Sequence, residues 1–158
     1  MKHQPSWLRS VLAQPLTWIP GVALACGSAV AGAQTAKPVS VWSGVYTAAQ
    51  SQRGEEIHTD VCAICHGRRL NGAGNPEMPP SPSIAGTSFM RKWSGRTVAA
   101  LFLYVRQTMP PDSPGTLSEQ QALDAMAHMF AVSKMPAGDK ELTSDLKALA
   151  NIMIEAQP

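Results

Sequence analysis

Chemistry concentrates in one stretch of the sequence, Cys62-Ala63-Ile64-Cys65-His66. Two thiols separated by two residues lie one helical turn apart. That separation matches the two vinyl groups along one edge of a porphyrin, so each thiol can form a thioether. The next residue then lies under the macrocycle, where its imidazole can ligate iron. Other chemistries also use a cysteine pair. A redox dithiol opens a helix after a strand in a βαβ context, whereas here the motif closes a helical stretch. Zinc or an iron–sulfur cluster asks for about four ligands. Outside the N-terminal segment no further cysteine is present, and only His58 and His128 offer nitrogen. One haem c, covalent through Cys62 and Cys65 with His66 on the iron, is the reading these residues favour.

The chain has 158 residues, enough for one domain of ordinary size. Residues 1–33 have the pattern of a secretory signal peptide. Lys2, His3 and Arg9 give a basic start, Val11 to Val30 is largely apolar, and Ala31-Gly32-Ala33 supplies small residues for cleavage. Two alternatives stay open. One is a retained membrane anchor, although Gln14, Pro15, Pro20 and Gly21 interrupt the apolar run. The other is lipidation at Cys26, although Ala23, three residues earlier, fits a lipoprotein signal poorly. Loss of residues 1–33 removes Lys2, Arg9 and Cys26 and leaves 11 Lys+Arg against 11 Asp+Glu. That balance gives no case for nucleic-acid binding. With both remaining cysteines in the motif, no structural disulfide is expected.

The elements that must position the motif follow in order. Residues 34–43 read as a polar, mobile linker. Thr47 is an N-cap candidate with Gln50 in the capping-box position, opening a helix from about Ala48 to Val61 with Gly54, Ile57, His58 and Val61 on one stripe. Residues 67–95 carry so many glycines and prolines that no long regular element is expected. So long a loop suits a compact domain only if it packs on a cofactor. Thr97–Thr108 reads as a second helix with Val98, Leu101, Phe102 and Val105 on its apolar face, stopped by Met109-Pro110-Pro111. Ser118 and Gln121 form a capping box for a third helix, which runs to about Val132 with Leu123, Met126, Ala127 and Phe130 inward. Residues 136–158 read as a C-terminal extension with a short amphipathic helix, and no strand-like alternation is visible.

An iron held by His66 has a second axial site to fill or leave open. Methionine sulfur is a soft ligand that favours the ferrous state, although most methionines are core fillers. Met109 stands just past a helix, its backbone stiffened by two prolines, and is the favoured distal ligand. Met135, also followed by proline, His128 and an open site remain alternatives.

Over residues 43–133 the sequence resembles the class I c-type cytochromes. The resemblance rests on a first helix ending in CxxCH, a loop, a middle helix, a Met-Pro and a later helix. Gly54 stands eight residues before Cys62, where that family keeps a glycine so that two helices can cross closely. Pro82-Ser83-Ile84-Ala85-Gly86 is similar to the family's P-x-L-x-G segment, which implies that the Pro82 carbonyl orients His66 and that Ile84 borders the haem. Trp93-Ser94-Gly95-Arg96 falls where the family places donors to a haem propionate, implicating Trp93 or Arg96. His58 and His128 replace two aromatic residues that meet at the helix crossing in the family, so the two histidines are expected to lie near each other.

The resemblance implies an all-α, class I cytochrome c fold. About four helices and a long loop would wrap one covalently attached haem, with residues 44–135 as the cytochrome c domain. It implies a periplasmic electron carrier rather than an enzyme, taking electrons from a dehydrogenase and passing them to a cytochrome or oxidase of the respiratory chain. Ser43-Gly44-Val45-Tyr46, Trp93-Ser94-Gly95-Arg96-Thr97 and Pro136-Ala137-Gly138-Asp139-Lys140-Glu141-Leu142 are similar to periplasmic cytochromes often associated with quinoprotein dehydrogenases. A tightly bound subunit of such a complex is therefore one alternative, and a haem-based enzyme or sensor with an open distal site is another.

Overall fold

Gly54 determines how two of the longer helices meet. It lies in α1 (Ala48–Ile57), and a Cβ there would run into the backbone carbonyl of Asp124 in α5 (Glu119–Val132). Only glycine lets the two backbones approach so closely. Beside this crossing Arg53 grips α5. Its Nε and Nη2 donate to Oδ2 and Oδ1 of Asp124, each at 2.9 Å, and Nη2 also reaches Glu141 at 2.9 Å. Asp124 is only 3% exposed, so the fork supplies the partner a buried carboxylate requires. His58 and His128 complete the crossing with ring centroids 5.6 Å apart, the proximity expected from sequence.

The computed structural model describes residues 37–158. The signal peptide read at 1–33 and the alternative lipid site at Cys26 lie outside them. The chain runs β1 (Val39–Ser40), a 3-10 turn (Val41–Ser43), α1, a π-turn (His58–Cys62), α2 (Ala63–His66), α3 (Gly86–Trp93), β2 (Arg96–Thr97), α4 (Val98–Thr108), α5, α6 (Leu146–Ala150) and β3 (Ile152–Ile154). The fold is thus mainly helical, as expected, with a small sheet added.

Capping explains where the main helices begin. Thr47, Thr97 and Ser118 each accept a hydrogen bond from the backbone N–H three residues on. The Ser118–Gln121 capping box is complete, and α5 is buried continuously from Ala122 to Phe130. Such a helix forms the centre of a core rather than one face of it. Phe130 packs between Tyr46 and Phe89, at centroid distances of 6.2 Å to each.

Gln50 departs from the expected capping box. Its side chain is fully buried and turned toward the C-terminal segment. There Nε2 donates to the Leu142 carbonyl at 3.1 Å, and Oε1 accepts from the Leu142 N–H at 2.9 Å. The amide acts as a substitute strand for Leu142, satisfying both of its backbone groups. Within α1 only Gln50 and Gly54 are fully buried. Polar grips, rather than the expected apolar stripe, dock this helix.

Three other expectations change. First, the stretch 34–43 is not a free linker over its described part, because β1 pairs with β3 and Val41 is completely buried. Second, the loop 67–95 contains α3, eight residues long, with Phe89 and Trp93 inward. Helix signals there were masked by the surrounding glycines and prolines. Third, residues 136–158 are not an appendage. Leu142, Leu149 and Ile154 belong to the main core, and the described residues 37–158 form one packing unit. The expected C-terminal helix is short and gives way to β3, the middle strand of a sheet ordered β1-β3-β2. Val39 pairs with Ile152 in parallel and Thr97 with Met153 antiparallel. Strands of two or three residues carry too little alternation to be read from sequence.

Candidate functional site

The helical stretch from α1 through the π-turn and α2 ends at His66, so its last turns display Cys62, Cys65 and His66 together. Gly67 stops it, at φ 74° and ψ 150°. The chain then folds back on the motif it has just made. Gly72 N–H donates to the His66 carbonyl at 2.8 Å, and Asn75 N–H to the Ile64 carbonyl at 2.7 Å. Gly74 lies so close to the Ile64 and Cys65 carbonyls that a side chain there would collide with both. Ile84 N–H and the Ser83 hydroxyl both donate to the Leu70 carbonyl at 2.9 Å, anchoring the end of this loop.

The loop carries Pro82 to His66, and Nδ1 of His66 lies 2.8 Å from the Pro82 carbonyl oxygen. A carbonyl can only accept, so Nδ1 must hold the proton. In the neutral ring the tautomer is thereby fixed, leaving the Nε2 lone pair free to bind a metal.

His66 faces a cavity of about 380 Å³. Its walls include Cys62, Cys65, Pro82, Ile84, Trp93 and Met109, so most sequence-derived candidates share one space. Met109 caps the C-terminal end of α4 in extended conformation, its N–H donating to the Val105 carbonyl at 3.0 Å. Met135 is buried in the hydrophobic core instead, and neither it nor His128 lines the cavity.

Arg96 is not on the cavity wall either. It lies in β2, paired with Ile154, and its guanidinium sits 5.4 Å from the centre of the Trp93 ring. The last turn of α3 instead brings Lys92 to the wall, beside Trp93 and Tyr104. Lys92 and Tyr104 were not legible as site residues. Lys92 belongs to the helix hidden in the glycine- and proline-rich stretch, and Tyr104 lies off the predicted apolar stripe of α4. Leu101 and Val105, read as core, also line the cavity.

Burial dominates the site's electrostatics. It pushes the Cys62 thiol up to about 11, with the adjacent Cys65 contributing less. Burial also lowers His58 and His128 below the ordinary histidine value. His58 Nε2 lies 2.9 Å from the Gly67 carbonyl, so the proton sits on Nε2. Among the described residues no three His, Cys, Asp or Glu side chains converge as a metal site. A structural zinc site of cysteines and histidines therefore lacks its ligands here. The donor set fits a covalent haem instead: two thiols and an imidazole with a free Nε2 border the same largely apolar space, with a thioether on its wall.

Comparison with known proteins accords with this geometry. Residues 49–129 match the model of a family described as cytochrome c oxidase, cbb3-type, subunit III. No curated protein matches the chain. Among solved structures, the crystal structure of the sulfane dehydrogenase SoxCD from Paracoccus pantotrophus aligns with a TM-score of 0.47 and 21% identity. That alignment covers 66% of this chain and 52% of the other, so this chain spans about half of its length. The chain belongs to the family matched over residues 49–129, and with it to the class I c-type cytochromes, whose bound group is a covalently attached haem c and whose chemistry is electron transfer.

Proposed function

We propose that the protein is an exported, periplasmic single-haem carrier that takes electrons from a dehydrogenase and delivers them toward the respiratory chain. In this reading Cys62 and Cys65 would hold the haem, and His66 and Met109 would ligate its iron. The bound haem iron supplies one-electron uptake and release. The chain's own residues tune and shelter it. Pro82 fixes the His66 ring and its tautomer, which strengthens the imidazole as a donor. Met109 contributes a soft sulfur that favours the reduced state. Ile84, Trp93 and Leu101 exclude water from the cavity.

The observation that carries this reading is the pairing of His66, its proton fixed by Pro82, with Met109 on the wall of the same cavity. The basic start, apolar run and small-residue cleavage site of residues 1–33 support export. No helix among the described residues is long and apolar enough to cross a membrane. A second reading, a subunit held permanently in a quinoprotein dehydrogenase complex, draws support from one observation. Two of the three segments similar to such cytochromes meet in space, and the third, through β2, joins the same sheet as β1. Gly44 packs on Gly138, and Gly138 N–H donates to the Tyr46 carbonyl at 2.7 Å.

The test is a visible absorption spectrum of the purified exported protein, oxidised and reduced, with carbon monoxide added to the reduced sample. A sulfur–iron band at the red end of the ferric spectrum, absent in Met109→Ala, with no response to carbon monoxide, is the expected result. A high-spin spectrum that shifts with carbon monoxide would refute the ligation and favour catalysis or sensing. Co-purification of a large subunit through high salt would favour the permanent complex.

A further inference from the structure

His58 is a buried polar side chain whose place at the helix crossing does not by itself call for an imidazole. It is 3% exposed and its ring lies against His128, where an aromatic hydrocarbon would fill the same space. What a hydrocarbon lacks is a donor. Burial keeps the His58 ring neutral, so it carries one proton, and that proton is committed from Nε2 to the Gly67 carbonyl at 2.9 Å. Two backbone features make the meeting possible. His58 opens the π-turn, where the Ala63 N–H reaches back five residues to the His58 carbonyl. Gly67 then ends the helix at φ 74° and ψ 150°, so its own carbonyl no longer points along the helix axis.

From the Gly67 carbonyl a circuit of hydrogen bonds returns to His66. The same oxygen accepts the Leu70 N–H at 2.9 Å. Leu70 is buried at φ 57°, a backbone conformation that leucine rarely adopts unless its surroundings hold it. Its carbonyl in turn accepts the Ser83 hydroxyl and the Ile84 N–H, each at 2.9 Å. These two residues follow Pro82, whose carbonyl takes the His66 Nδ1 proton at 2.8 Å. Pro82 is exposed, so its position depends on the anchors of its loop more than on packing. The circuit begins at Gly67 and closes on His66, its neighbour in sequence.

We propose that His58 is a positioning residue for the proximal ligand: its Nε2–H ties down the Gly67–Leu70 turn and, through that turn, keeps the Pro82 carbonyl on the His66 imidazole. This rests on the reading of His66 as an iron ligand. The Nδ1–H bond sets how much electron density Nε2 offers a metal, and with it the balance between ferric and ferrous states. A phenylalanine at position 58 keeps a ring against His128 and leaves the turn untied. The bond to Pro82 then weakens, the imidazole becomes a poorer donor, and the ferrous state gains.

The test compares the holoprotein with three variants. His58→Phe keeps an aromatic ring and removes the donor. His58→Gln supplies an amide donor instead. His128→Phe alters the other ring and leaves the Gly67 bond alone. The visible spectrum of each is recorded first. Spectroelectrochemical titration then gives the potential, and nitrogen–proton NMR of the reduced protein gives the exchange rates of the His66 Nδ1–H and of the Leu70 and Ile84 amides. In His58→Phe the ferrous-to-ferric ratio at a fixed applied potential rises about threefold, equivalent to ~28 mV for a one-electron couple. All three protons exchange severalfold faster. His58→Gln recovers most of both effects, and His128→Phe produces neither. An unchanged potential overturns the proposal. So does a potential that moves while the three protons exchange as in the parent, because that assigns His58 to the polarity of the cavity wall. Equal effects in His128→Phe also overturn it, because they assign the change to packing at the crossing. If His58→Phe yields no protein, the parent decides: rapid exchange of the His58 Nε2–H, or a proton on Nδ1 instead, overturns the proposal. A spectrum without His66 ligation refutes the reading on which the proposal rests, whereas a normal spectrum with unmoved protons refutes only the role of His58.

Discussion

Replacing Gly54 by alanine sets two effects against each other. In an exposed helix the change would stabilise by about 1 kcal/mol, because glycine is the poorer helix former. At the α1–α5 crossing the added Cβ meets the Asp124 carbonyl, a backbone atom that no side-chain rotation can move aside. The helices must separate, and overpacking of this kind costs about 1–3 kcal/mol. Separation also loosens the Arg53–Asp124 fork, whose charged hydrogen bonds contribute about 1.5–3 kcal/mol while Asp124 stays buried. The destabilising effects outweigh the propensity gain by roughly 2–4 kcal/mol, a fall in Tm on the order of 10 °C for a domain of this size. Thermal unfolding of the holoprotein, followed by far-UV circular dichroism, measures it. A Tm equal to or above that of the parent would refute the close crossing as the reason for glycine.

Three further outcomes are expected. Burial keeps His58 and His128 neutral in the folded protein, whereas unfolded imidazoles take up protons near 6.5. Stability from this pair is therefore complete above that value, declines as pH falls and levels off below the lowered folded values. Urea midpoints between about pH 7.5 and 5 should show the decline, and His128→Tyr should flatten it; an unchanged slope excludes the pair as its source. Gln50→Leu removes both partners of the Leu142 backbone groups and should destabilise by about 2–6 kcal/mol, at ~1–3 kcal/mol for each buried group left unsatisfied. Denaturant unfolding reads this directly. Truncation after Met135 discards buried Leu142, Leu149 and Ile154, each stabilising by about 1.5–3 kcal/mol. It should yield no stable holoprotein, as judged by recovery of haem absorbance after export; normal recovery would restore the view of 136–158 as a dispensable extension.

Covalent chemistry was the most legible part of the sequence, because thioether attachment fixes residue type and spacing within five consecutive positions. The helices begun by Thr97 and Ser118 were legible for a similar reason, since a cap and a periodic apolar face are local. What escaped was non-local. Gln50 has the right spacing for a capping box, and nothing nearby reveals that its amide is committed to Leu142. Lys92 could be placed on the cavity wall only once α3 was known to exist. Arg96 was a reasonable candidate from its neighbours in sequence, but strand pairing with Ile154 carries it behind Trp93. The segments near 43 and 136, marked by the narrower resemblance, had no evident connection until the Gly44–Gly138 approach brought them together.

The polar docking of α1 and the β1–β3 pairing also set an order in time. The helix carrying the two thiols gains its anchors from Asp124, Glu141 and Leu142, and β1 waits for a strand more than a hundred residues later. Contacts of such long sequence separation form late. While the chain emerges on the far side of the membrane, in the exported reading, Cys62 and Cys65 belong to a segment not yet docked, open to the machinery that joins haem to thiol. The same connections that close the finished molecule therefore leave an interval, before the last residues arrive, in which its cofactor can be attached.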